Sequence, residues 1–236
     1  MNARPSRDDM RADGKTQSSS DIIYNNIIQG LYSGRYSPGQ RLVEADLSNS
    51  FGLSRGTVRE ALKRLTSEGV ATIIPHRGAS IRLLSRSEAI EALLVIEVLQ
   101  GLAARLAAQN IDRFSNRDEV KGAFRELTKA QAGSDFIDQV RARNRFHRTL
   151  IKASGNRELH RLLRGFSLHL LRVQFRMHGI ESGAQPESYK AITDAILAGN
   201  SAKAEKAAIQ HVQATLEKVV ALPESAFARE TPASDW

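Results

Sequence analysis

The sequence predicts a mainly α fold: an N-terminal winged helix-turn-helix with a small β-hairpin wing, then a C-terminal all-α bundle of six to seven helices. Three observations predict it. Two short helical patterns flank a Gly52-Leu53-Ser54 turn. A β-rich run, VATIIPHRGASIRLL, folds back about Pro-His-Arg-Gly. Beyond about residue 85 no strand pattern interrupts the helical period.

Taken in order, residues 1–19 (MNARPSRDDMRADGKTQSS) have almost nothing to bury and read as a disordered tail. Ser20 or Asp21 can cap a helix in which Ile23, Ile27, Ile28 and Leu31 recur at helical spacing. Gly34 and Pro38-Gly39 stop it. VEADLSNSF then makes about two helical turns, and RGTVREALKRLTSEG makes a second helix that ends at Gly69. With the hairpin, these elements make a domain over 20–84. Six helical stretches follow, at 87–109, 115–132, 134–153, 156–178, 184–199 and 201–221, broken by NIDRFSN, AGSD, SGN and GIESGAQP. They form a second domain over 85–222 with its own core, and 223–236 reads as a flexible tail.

Composition narrows the function. A net charge of +8 and a pI near 10.0 favour an anionic partner such as nucleic acid. The absence of cysteine excludes disulfides, thiolate metal sites and cysteine nucleophiles. No apolar run approaches the roughly 20 residues that span a bilayer, so the expectation is a cytoplasmic protein with no membrane partner.

In a helix-turn-helix the second helix enters the major groove, and its N-terminal residues meet the base edges. Here those residues are Ser54, Arg55, Gly56, Thr57 and Arg59. Arginine can pair bidentately with guanine, the hydroxyls can bind bases or phosphates, and Gly56 lets backbones approach. Residues 52–82 carry six Arg or Lys against two Glu, an electrostatic footprint for phosphate contact. The wing tip, His76-Arg77-Gly78, would reach the flanking backbone or minor groove.

These residues carry a resemblance. LSRGTVREALKRLTSEGVATIIPHRGASI closely resembles the DNA-binding domain of the GntR family of bacterial transcription regulators. The resemblance implies base or phosphate contacts at Arg55, Thr57 and Arg59, with Gly78 close to DNA. One departure is Ala45, where some members carry an arginine that also touches DNA.

The helical half resembles the FCD ligand-binding bundle of the FadR-like branch, through LAARLAA, RFHRTLIKASGN, ITDAILAGN and AEKAAIQHV. That resemblance implies a homodimer and a bundle interior that often holds a divalent metal on an Asp and three His, beneath a small carboxylate. This chain keeps His147 and His211, but Arg143 stands where the Asp would be and Tyr189 where many members have His. Two imidazoles and a phenol beside a cation make a poor site for zinc, nickel or manganese, so no metal cofactor is expected; His147 and His211 would be the ligands if one bound. Arg143 could instead hold an effector carboxylate directly, with His147, Tyr189, His211 and His169 as further effector contacts. The plainer alternative is that Arg143 lies on the surface or pairs with a carboxylate while the histidines are satisfied core residues.

The function expected is a metabolite-responsive transcription regulator, not an enzyme: a repressor released from an inverted-repeat DNA operator by a small organic acid. A metal-dependent enzyme or metal-sensing regulator built on the helical half is the alternative.

Overall fold

The computed structural model describes residues 18–74, 78–165, 173–175 and 186–230. The chain divides into two compact units, Met1–Leu83 and Leu84–Trp236.

The first unit opens with α1 (Ser19–Tyr32). Its cap is Ser18, ahead of the expected Ser20 or Asp21, because Asp21 is the third helical residue of a capping box. The Ser18 hydroxyl accepts the Asp21 N–H at 3.1 Å, and the Ser18 N–H donates to the Asp21 carboxylate at 3.1 Å. The expected disordered tail therefore cannot extend through residues 18 and 19; residues 1–17 lie outside the described set. The apolar face of α1 packs on that of α3 (Arg55–Ser67), which buries Val58, Ala61, Leu62 and Leu65. Between them runs α2 (Glu44–Phe51), ended by Gly52 at φ 64°, a left-handed position that glycine takes without steric cost.

The wing is larger than a hairpin. Arg41–Leu42 forms a short strand, β1, that joins β2 (Ala71–Ile74) and β3 (Gly78–Ile81) in an antiparallel sheet of order β1-β3-β2. Leu42 pairs with Ala79, and Ile73 pairs with Ala79 from the other side. A two-residue strand is too short to show alternation, which is why the sequence pattern does not reveal it. Gly78 sits at φ 87°, which strains any other residue, and a Cβ there would also come within 3.2 Å of the Leu42 carbonyl oxygen on β1, so both the backbone and the sheet favour glycine at this position.

The second unit is a helical bundle of α4 (Arg86–Gln109), α5 (Asn116–Gln131), α6 (Phe136–Ala153), α7 (Arg157–Gly165), α8 (Pro186–Leu197) and α9 (Ser201–Val220), with residues 173–175 also helical. Of the expected helix over 156–178, the described residues cover α7 and those three. Ser85, Asp135 and Asn200 cap α4, α6 and α9. Small residues let α4 and α9 approach closely: Ala104, Ala107 and Ala108 share the core with Ala204 and Ala208. A Cβ at Gly101 would lie 2.9 Å from Ile209 Cγ1. Leu127, Phe146, Leu150, Ile192 and Ile196 complete this core.

The expectation of a flexible tail from residue 223 fails through residue 230. Glu224–Ala226 form a 3-10 turn, and Ala228 bridges to Ser85 in parallel. Arg86 donates to the Val220 and Leu222 carbonyls and lies over the Phe227 ring. Gln174, buried, accepts the Leu84 N–H at 2.9 Å and donates to the carbonyls of Leu84 (2.9 Å) and Ala226 (3.0 Å). The tail is thus a strap, fastened where α4 begins. Sequence alone could not show this, because the strap is held mostly through backbone groups that any residue supplies.

Candidate DNA interface and effector site

Ser54 caps α3. Its hydroxyl accepts the Thr57 N–H at 3.2 Å and lies 2.9 Å from the Thr57 hydroxyl, so both candidate hydroxyls help fix the helix start. The first turn of α3 carries no acidic residue, which leaves its positive dipole end open to an anion. Gly56 is exposed, and nothing beyond the Ser54 hydroxyl would meet a side chain there.

Arg55 and Arg59 are both exposed on the face opposite the buried stripe. They differ in how they are held. No described residue pairs with Arg55, whereas Arg59 Nε donates to Glu44 Oε2 at 2.8 Å. Glu44 is a residue the sequence reading missed, since its partner lies fifteen positions on across the turn.

Arg64, one of the six positive charges in the footprint, turns the other way. It stacks over the Tyr24 ring at 3.8 Å and pairs with Asp21 and with Glu68, the latter at 3.1 Å. Tyr24 also donates to Glu68, and burial pushes its phenol well above the usual range, with the Glu68 hydrogen bond adding to the effect. Arg64 therefore ties α3 to α1, and its charge is already balanced. His76 and Arg77 lie outside the described residues; Gly78 serves the sheet as described.

In the helical unit the structure gathers three of the five candidate effector residues, His147, Tyr189 and His211, into one cluster, and the fourth, Arg143, lies one helical turn before His147 with its Nε donating to the Gln139 carbonyl at 3.4 Å. Arg143 and His147 stand one turn apart on α6, Tyr189 on α8 and His211 on α9. Tyr189 and His211 have ring centroids 4.6 Å apart, His147 and Tyr189 5.9 Å, and His147 and His211 6.2 Å. Phe146 meets Tyr189 edge-on at 5.3 Å. Arg143 is 3% exposed, which rules out the surface reading of it. His169 lies outside the described residues.

Ser188, another residue the sequence reading missed, sits 2.8 Å from His211 Nδ1 and fixes the plane of that ring. Among the described residues no group of three or more His, Cys, Asp or Glu gathers as a metal site. Two imidazoles and a phenol, with a guanidinium one helical turn away that cannot ligate and would repel a cation, make a poor set for a divalent ion. A buried guanidinium, imidazoles and a phenol are groups of the kind that recognises an organic anion.

The comparisons with known proteins agree for both halves. Residues 88–214 match the FCD domain. Residues 19–81 match the bacterial regulatory proteins of the gntR family. Similar proteins include the "Probable D-xylose utilization operon transcriptional repressor" of Paenarthrobacter nicotinovorans, 29% identical over 80% of this chain and 84% of that one. The HTH-type transcriptional regulator LutR of Bacillus subtilis (strain 168) is 27% identical over 77% and 92% of the two chains. In fold, E. coli McbR/YncC matches with a TM-score of 0.72 at 18% identity, covering 86% of this chain and 98% of that one.

Proposed function

Because the chain belongs to the GntR family of bacterial regulatory proteins and carries an FCD domain, we propose that it is a dimeric repressor released from its operator by a small carboxylate. Its domains and relatives are those of DNA-binding transcription regulators, not of enzymes. None of its described helices is long and apolar enough to cross a membrane, and the working place we assign it is the cytoplasm, with the DNA.

One observation carries the DNA half of the proposal: α3 is capped, free of acid in its first turn, and presents Arg55 and Arg59 outward. Two such helices in a dimer would read half-sites of an inverted repeat about one helical turn apart. The effector half rests on the buried Arg143, one helical turn from the His147 of the His147–Tyr189–His211 cluster. A carboxylate bound there would draw α6, α8 and α9 together, and a state with different operator affinity would then gain in population. The relative named for D-xylose utilization makes the acids derived from sugars a natural part of the compounds to screen.

The test has two parts. Selection from randomised duplexes with the full chain should return an inverted repeat, and Arg59→Ala should lose binding to it while melting as the parent does. A thermal-shift screen of organic and sugar acids should then find a compound that stabilises the protein and lowers its affinity for the selected duplex. If Arg59→Ala binds as tightly as the parent, the docking of α3 is wrong. If no acid both stabilises the protein and lowers that affinity, the effector assignment is wrong.

A further inference from the structure

The Glu44–Arg59 pair poses a problem of charge. Glu44 stands in the first turn of α2, on the side that meets α3, and its carboxylate lies 2.8 Å from an arginine proposed to face DNA. An acid beside a phosphate backbone opposes binding of every sequence alike. A second role is available to it, since Val43 gives α2 no side-chain cap and an acid in the first turn complements the helix dipole. That role needs no arginine, and it leaves the choice of Arg59 as partner unexplained.

The geometry of the pair supplies an explanation. Glu44 takes the Nε–H of Arg59, and no described residue takes its Nη groups. A guanidinium held by Nε keeps its terminal Nη edge free, and two parallel N–H donors are what guanine O6 and N7 require. The Arg59 side chain is 62% exposed, so without Glu44 it would sample many rotamers, and a direct phosphate contact would be open to it. Glu44 itself is only 29% exposed, held on a helix end that the single-residue link from β1 fixes in place.

Resting on the docking of α3 proposed above, we infer that Glu44 is a specificity-determining positioning residue. It aims Arg59 at a base edge, and in doing so weakens non-specific binding. Arg55, which no described residue pairs with, is then the arginine free to serve as a phosphate contact.

The experiment uses the full chain with duplexes selected by the parent protein, a scrambled duplex of equal length, and duplexes altered at single base pairs. Removing Glu44 should move the two affinities in opposite directions, which a merely structural contact would not do. Glu44→Ala should bind the scrambled duplex about two- to threefold more tightly and the selected duplex about tenfold more weakly, with discrimination lost at one base pair per half-site. Glu44→Gln keeps an acceptor for Nε, so it should retain most of the base preference and still bind the scrambled duplex more tightly. It also serves if the alanine variant folds poorly. Unchanged discrimination in both variants, alongside an Arg59→Ala that loses operator binding, overturns the role of Glu44 and leaves the docking reading standing. An Arg59→Ala that binds normally overturns both.

Discussion

Gln174 offers a quantitative test of the strap. Its side chain serves three backbone groups: the Leu84 N–H, the Leu84 carbonyl and the Ala226 carbonyl. The Leu84 carbonyl also accepts from the Ala228 N–H at 3.0 Å, so it keeps a partner when the side chain goes. Gln174→Ala therefore orphans two buried backbone groups, at about 1–3 kcal/mol each. Freed glutamine rotamers offset about 1.5 kcal/mol, leaving a net loss of about 0.5–4.5 kcal/mol, with a midpoint of about 2.5. In a helical unit of this size that midpoint corresponds to a fall in Tm of about 5–10 °C.

Differential scanning calorimetry resolves the transitions of a two-unit chain, and only that of the helical unit should move. The Leu84 amide should lose its hydrogen-exchange protection at the same time. Gln174→Glu turns the donor into an acceptor facing two carbonyls and should cost at least as much. A Gln174→Ala protein within about 0.5 kcal/mol of the parent, with Leu84 still protected, would refute the reasoning, because two orphaned groups cannot cost so little.

Three further outcomes are expected. Gly101→Ala gains about 1 kcal/mol of helix propensity but drives a methyl to 2.9 Å from the stiff Ile209 side chain, at about 1–3 kcal/mol. It should destabilise the protein, whereas in an Ile209→Ala background the same change should stabilise it; equal effects in both backgrounds, read in urea melts, would contradict the close α4–α9 packing. The Ser18 hydroxyl, then the Ser18 N–H, hold the Asp21 carboxyl below its ordinary 3.8, so its contribution to stability is present above that value and fades as pH falls through the lower folded value. Ser18→Ala should lessen the loss of stability of the first unit on acidification from about pH 5 to 3, and an identical pH profile in the variant would assign that loss elsewhere. Arg143→Met should fold with a comparable Tm but lose the stabilisation given by any acid found in the screen; stabilisation that survives would move the carboxylate away from Arg143.

Much of this was legible in the sequence because local chemistry set it. Gly52 and Gly69 both adopt left-handed conformations at helix ends, as their positions after apolar-periodic runs implied. Val140, Arg143 and Leu150, which share a helical spacing, are all buried on α6, while His147, which shares that spacing, is half-buried and Phe146 beside it is buried in its place. What escaped was non-local. Glu44 meets Arg59 only because α2 and α3 cross, and Ser188 meets His211 only because α8 and α9 pack. The strap depends on carbonyls and N–H groups, which carry no residue signature. The cap of α1 was misplaced for a different reason: Ser18, Ser19, Ser20 and Asp21 all suit a cap, and only the reciprocal bond between Ser18 and Asp21 selects among them.

The two-residue strand β1 has a consequence for how the protein finds its site. Only Val43 separates Leu42, paired with the wing strand β3, from the start of α2, and Gly52 to Ser54 join α2 to α3. The base of the wing and α3, the helix proposed to read the groove, are thus parts of one stiff scaffold, with little internal disorder left to lose on meeting a duplex. Such a reader surrenders less entropy at each trial along the DNA, so it can test many sequences briefly and still hold the right one.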